Sequence, residues 1–166
     1  MKITTHDSQG EKLKILSAQT EKMKLSIRIA EINDSEPIAK LSGQLGYVSN
    51  HNETRNRLIE ILKNSDNCVY VAVDNNKIIG WIHGFYALRV ETDSFVEIGG
   101  LIVDENCRNM GVGKILIEKT VAWAHSKNCN HIRVRCNELR KESHAFYRHI
   151  GFQLNKMQMV FAKKLD

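Results

Sequence analysis

The sequence is short of several things, and each shortage removes a class of protein. No apolar run approaches the roughly 18–20 residues that cross a bilayer, and charges interrupt the N-terminal stretch, so neither membrane insertion nor a secretory leader is expected. Repeats and low-complexity tracts are missing. With 42% hydrophobic and 26% charged residues, the composition is that of a globular chain rather than a disordered or fibrous one. The four cysteines, Cys68, Cys107, Cys129 and Cys136, include no pair at the separation of a metal knuckle or a dithiol motif. Reduced thiols and a cytoplasmic location are the expectation. Histidines number seven, but His144 and His149 are off the helical spacing of a metal pair and His125 and His131 flank a loop, so no metal site is expected. Aromatic residues are only 7% of the chain and do not interleave with basic ones as they do where bases stack. The net charge of +5 therefore suits a phosphate-bearing ligand without implying nucleic acid.

What is there amounts to one domain, since 166 residues fall within the usual domain range of about 100–200. Residues 1–24 are polar, with Leu13, Leu16, Thr20 and Met23 as a thin helical stripe. They are expected to form an N-terminal extension, mobile or a surface helix, ahead of a domain over residues 25–166. That domain opens with the alternating Leu25–Ile32 run of a half-buried strand. Helices are expected from about Asn33 to Gly46 and from about Asn52 to Lys63. The runs Cys68–Val73 and Lys77–Phe85, joined by Asp74-Asn75-Asn76, read as a hairpin, and Phe95–Val103 reads as a central strand broken by one carboxylate. A long amphipathic helix over Gly113–His125, a strand at His131–Cys136 and a short helix from Ser143 to His149 follow. Gly151 suits a C-cap, and Phe152–Leu165 has the residues for one or two final strands. The order indicates a mixed α/β layer fold.

The most informative stretch is Val103-Asp104-Glu105-Asn106-Cys107-Arg108-Asn109-Met110-Gly111-Val112-Gly113, a strand passing through a polar turn into a helix. Glycines at 111 and 113 let the backbone approach an anion, the freed amides and helix dipole favour phosphate oxygens, and Arg108 and Lys114 add charge. The same glycines would also serve a tight turn that merely packs its helix. Two other phosphate motifs fail on the letters. A P-loop would need glycine where Arg108 stands and Ser or Thr where Ile115 stands, and a dinucleotide fingerprint would need a third glycine at Leu116.

The Arg-x-x-Gly-x-Gly pattern resembles the pyrophosphate signature of the GNAT acyltransferases, and Ala145-Phe146-Tyr147-Arg148-His149-Ile150-Gly151-Phe152 resembles their second, Phe-Tyr-x-x-x-Gly-Phe, segment. The element order is theirs as well. The resemblance implies a GNAT fold of class α/β (α+β): a mixed central sheet of six to seven strands with a splayed parallel pair, flanked by about four helices. It implies acetyl-coenzyme A as co-substrate, with Leu101, Ile102 and Val103 along the pantetheine and Arg108, Asn109, Met110, Gly111, Val112, Gly113 and Lys114 around the pyrophosphate. Asn137, Ser143 and Phe146 are carried over as further cofactor contacts, although Asn137 is displaced by three positions from the family's asparagine and Arg140 stands in its place.

The resemblance also implies that Tyr147 protonates the departing thiolate and that Glu97, which interrupts an apolar strand, takes the amine proton. Packing alone for the tyrosine and a solvent-facing role for the glutamate are the plain alternatives. Tyr47, His51, Asn52, Trp81, Phe85, Glu91 and Asp93 are candidates for the acceptor pocket, and His83 is either a liner or a hydrogen-bonded sheet residue. The expected activity is acetyl transfer to a primary amine of a small molecule or peptide, by direct attack rather than through an acyl-cysteine. A catalytically weak coenzyme-binding sensor of the same fold is the alternative. No nucleic-acid or membrane partner is expected, and a homodimer is left open.

Overall fold

The computed structural model describes residues 24–47 and 50–166, so the expected N-terminal extension lies almost wholly outside the described residues. Its first strand, β1 (Leu25–Ile29), pairs antiparallel with β2 (Asn67–Asp74). A 3-10 turn at Ile32–Asp34 leads into helix α1 (Ser35–Gly43), and Asp34 fixes that corner: its carboxylate accepts from both Arg28 guanidinium nitrogens, at 2.6 and 2.7 Å, and from the Glu31 N–H at 2.7 Å. Helix α2 (His51–Lys63) starts where the Asn50 side chain accepts from the Glu53 N–H at 2.8 Å, which satisfies an amide the helix itself leaves unpaired.

β2 turns back through Asn75 and Asn76, both at positive φ, into β3 (Lys77–Ala87), and β3 pairs antiparallel with β4 (Phe95–Val103). A second 3-10 turn and helix α3 (Val112–Ser126) carry the chain across the sheet to β5 (Ile132–Val134), which runs parallel to β4. Helix α4 (Lys141–His149) follows. The sheet order is β1-β2-β3-β4-β5.

Each face of the sheet has its own core. α1 and α2 cover a cluster that includes Ile38, Leu41, Leu58, Val69, Val71 and Ile102, while α3 lays Val112, Leu116 and Ile117 against Ile79, Ile82 and Ile98 on the other face. Ile82 and Leu116 are 0% exposed, and burying a side chain of that size stabilises by roughly 1.5–3 kcal/mol. Thr120 sits at the same depth because its hydroxyl donates to the Leu116 carbonyl at 3.1 Å.

The described residues hold five strands, where six to seven were expected. The difference lies in Phe152–Leu165, which has strand-forming residues but pairs with nothing; Leu154, Met157, Met159, Val160, Phe161 and Leu165 are all exposed. Strand propensity without a neighbouring ladder does not make a strand, since the backbone bonds need a partner. No described helix is long and apolar enough to cross a membrane.

Candidate active site

The turn after β4 is held from within. Asp104 is buried, accepts from the Asn106 N–H at 3.0 Å and faces Lys77 at 3.8 Å, and the Asn106 backbone bond leads the causes that keep its carboxyl below the usual range. Asn109 (φ 62°) and Gly111 (φ 81°) then take left-handed conformations. For Gly111 this costs nothing, whereas an L-residue loses roughly 1–2 kcal/mol there. α3 therefore begins at Val112 with no side chain capping it. Its first amides have no acceptor within the helix, and with the positive end of its dipole they make the arrangement that receives an anion. The exposed Arg108 and Lys114 flank it. Gly113 serves a different need: a Cβ there would sit 3.0 Å from Phe146 Cζ, so its absence lets α4 pack close to the start of α3.

β4 and β5 pair only from Val96 to Ile98 and from Ile132 to Val134, and beyond Ile98 the two strands part. This splay opens a cleft of about 1270 Å³. Gly99–Val103 lines one wall, and Val134–Asn137 and α4 line the other. Of the expected cofactor contacts, Leu101, Ile102, Val103, Arg108, Asn109, Gly111, Val112, Gly113, Lys114, Asn137, Ser143 and Phe146 all line this one cleft. Met110 does not; it is 50% exposed and outside that lining.

Tyr147 lines the same cleft. Its ring is fixed edge-on between Phe146 (5.2 Å between centroids) and Phe152 (5.4 Å), and the Phe152 N–H donates to the Tyr147 carbonyl at 2.9 Å where α4 ends. Burial first, then the charge of Cys136, pushes the phenol up to about 12 against a smaller opposing effect of Arg140. The hydroxyl thus stays protonated across the physiological range and is able to donate. Glu97 is buried, but its carboxylate is gripped by Arg135 at 3.0 and 3.1 Å and is not among the residues lining the cleft.

The sequence profile of the Acetyltransferase (GNAT) family matches residues 31–152. The chain belongs to the GNAT acetyltransferase family. The curated N-acetylaspartate synthetase of Xenopus tropicalis is 28% identical over 92 residues, 55% of this chain and 33% of that protein, so this chain matches only about a third of that relative's length. Among solved structures, the aminoglycoside 6'-N-acetyltransferase of Acinetobacter haemolyticus superposes with a TM-score of 0.76 at 21% identity, covering 85% of this chain and 99% of that one. An aminoglycoside N-acetyltransferase solved with CoA gives 0.79 at 19% identity over 88% and 99%. Glucosamine-6-phosphate N-acetyltransferase of Arabidopsis thaliana gives 0.71 at 24% identity over 86% and 99%. These agree with the mixed fold and with acetyl-CoA as the co-substrate of a GNAT acetyltransferase.

The part of this GNAT cleft away from the turn departs from the lining expected for the acceptor pocket. Tyr47 and Trp81 line it, but His51, Asn52, Phe85, Glu91 and Asp93 do not. His51 is instead hydrogen-bonded to Ser35 Oγ at 3.0 Å, and Glu91 and Asp93 are exposed in the β3–β4 connection. Residues that the reading missed take their place, among them Ser42, Leu45, Thr54, Arg57 and Cys136. Only the helical spacing of Ile38, Leu41 and Leu45 hinted at Leu45, although the helix ends at Gly43 rather than near Gly46; nothing local marks Thr54 or Arg57. Arg140 bridges the two sides, donating to the Leu45 carbonyl at 3.3 Å with its guanidinium 5.8 Å from the Tyr47 ring centroid.

Proposed function

We propose that this chain transfers the acetyl group of acetyl-CoA to the primary amine of a small molecule or peptide by direct attack in a ternary complex. The observation that carries the reading is a single cleft joining the uncapped start of α3, the Tyr147 side chain and the α1–α2 end. Acetyl-CoA supplies the acetyl thioester. Amides from about Gly111 to Lys114, with Arg108, would hold its diphosphate, and the β4 backbone freed by the splay at Leu101 and Val103 would hold its pantetheine arm. Tyr147 would protonate the sulfur as it leaves. Glu97 becomes a route for the amine proton only if Arg135 releases it. Acylation of Cys107, which lines the cleft, is disfavoured because burial, first among the causes, raises its thiol and keeps it from ionising.

The acceptor reading is narrowed by charge. Glu142 is the one carboxylate among the described residues that line the cleft, against Arg57, Arg135, Arg140 and Lys141 beyond the turn; Arg57 is paired with Glu53 and Arg135 with Glu97, so the excess rests on Arg140 and Lys141. That balance supports an amine that also carries an anionic group over a polycation. Thiol release is the test, measured with acetyl-CoA against a panel of amino acids, amino-sugar phosphates, peptides and an aminoglycoside. Release with an anionic amine is expected. Tight CoA binding with no release above background for any amine would sink the enzyme reading.

A further inference from the structure

His83 lies on β3 where the sheet is irregular. It pairs with Gly100 across to β4, and the register shifts between His83 and Gly84. The shift brings Gly99 under the imidazole: a Cβ on Gly99 would sit 3.1 Å from His83 Nδ1 and 3.3 Å from the Phe85 ring. With no side chain there, Gly99 places no Cβ against that nitrogen, and both residues line the cleft. The other ring nitrogen is committed. His83 Nε2 is 2.9 Å from Asn67 Oδ1 on β2, and because a carboxamide oxygen only accepts, Nε2 carries the proton and Nδ1 keeps its lone pair.

We propose that His83 Nδ1 accepts the proton of the incoming amine. The inference rests on the acetyl-transfer reading above and names a catalytic residue within it. The ammonium gives one proton to Nδ1, and the freed nitrogen bonds to the acetyl carbon as the carbon–sulfur bond breaks. Tyr147 protonates the sulfur, and the second proton lost by that nitrogen restores Tyr147, so one proton is left on His83 to pass to solvent.

The surroundings keep the imidazole neutral. Along β3 it has Trp81 and Phe85, on β2 Asn67 and Val69, and on β4 Gly99 and Gly100. The carboxylate on this face of β4, Glu97 opposite Phe85, is neutralised by Arg135. The helices and the stretch after β5 add Arg57, Cys136 and Tyr147 to the cleft. Burial holds the His83 pKa below the ordinary histidine range, and no charged partner raises it.

Two measurements decide the matter. Imidazole nitrogen shifts in the protein without CoA should show the Nε2–H tautomer and a pKa below about 6.5. A proton resident on Nδ1 at neutral pH would overturn the proposal. His83→Gln should lower kcat on the order of 100-fold, remove the acidic limb of the kcat/KM profile and leave CoA affinity within about twofold. Turnover and limb like wild type would overturn it. Should that variant fold poorly, Asn67→Asp places a charge beside Nε2 and should move both the imidazole pKa and the acidic limb upward together. An imidazole that moves while the limb stays put would also overturn it. A wild-type protein that binds CoA yet releases no thiol overturns the acetyl-transfer reading itself, an outcome distinct from an active wild type matched by an equally active His83→Gln.

Discussion

At one end of the cleft the groups suited to bind are consecutive, Arg108 to Lys114, and most of what they offer is backbone. At the other end they are side chains brought in from α1, α2, β3 and β4. The first end is fixed by one left-handed glycine and one uncapped helix start, so its chemistry depends on conformation more than on residue identity. The second end depends on how two helices lie over the sheet, and single side chains such as Arg57 or Trp81 change its character. On the proposed reading a common coenzyme grip and a particular acceptor are thereby separated within one fold, which would let a shared scaffold serve different substrates.

The sharpest way to break this comparison is Gly111→Glu. A side chain at φ 81° adds strain, and its carboxylate occupies the place of the anion. Losing two or more charge-assisted hydrogen bonds at about 1.5–3 kcal/mol each weakens CoA by on the order of 1000-fold. Calorimetry is expected to show that loss while circular dichroism stays native; unchanged affinity would remove the turn from the site. Tyr147→Phe comes next. It should lower kcat by on the order of 100-fold with CoA affinity within about twofold, and an unaltered kcat would leave the ring with packing alone.

The same contrast explains what could be read in advance. Alternation found β1 and apolar runs found β2 to β4, and the Gly111 turn was legible because its pattern is local: a strand, a polar turn and a helix start within a dozen letters. Phe146 and Tyr147 were legible through a motif whose spacing the α4 turn imposes. Thr54, Arg57 and Cys136 were not, because they meet only after α2 crosses the sheet and β5 splays from β4. The engagement of Glu97 by Arg135 needed the register of a parallel pair, which no single strand encodes. Phe152–Leu165 failed for the converse reason: alternation describes a face, and pairing requires an edge to meet it.

A smaller effect probes the frame of the proposed acceptor end. Burial acts against the charge on Asp34, but the Arg28 and Glu31 hydrogen bonds and the Arg28 charge outweigh it, so its carboxyl lies below the usual range. A lowered folded pKa means that the stabilisation is complete above the unfolded value near 3.9 and is lost as pH falls through the folded one. Asp34→Asn should therefore cost about 1–2 kcal/mol between pH 7 and 5, and its deficit against wild type should shrink below about pH 4. Denaturant melts at several pH values check this; a deficit independent of pH would show that packing at the α1 corner, not charge, sets its strength.

Asn50→Ala is the mildest of these changes and isolates the acceptor end most cleanly. It removes the acceptor for the Glu53 N–H, and loss of such a cap costs about 1 kcal/mol. The first turn of α2 carries Thr54, with Arg57 one turn on, and both line the cleft, whereas the Gly111 turn makes no use of this helix. Fraying there should raise the KM for the amine about two- to threefold and leave CoA affinity and kcat unmoved. An equal change in both affinities would mean that the two ends are mechanically coupled across the sheet, and their separation would fail.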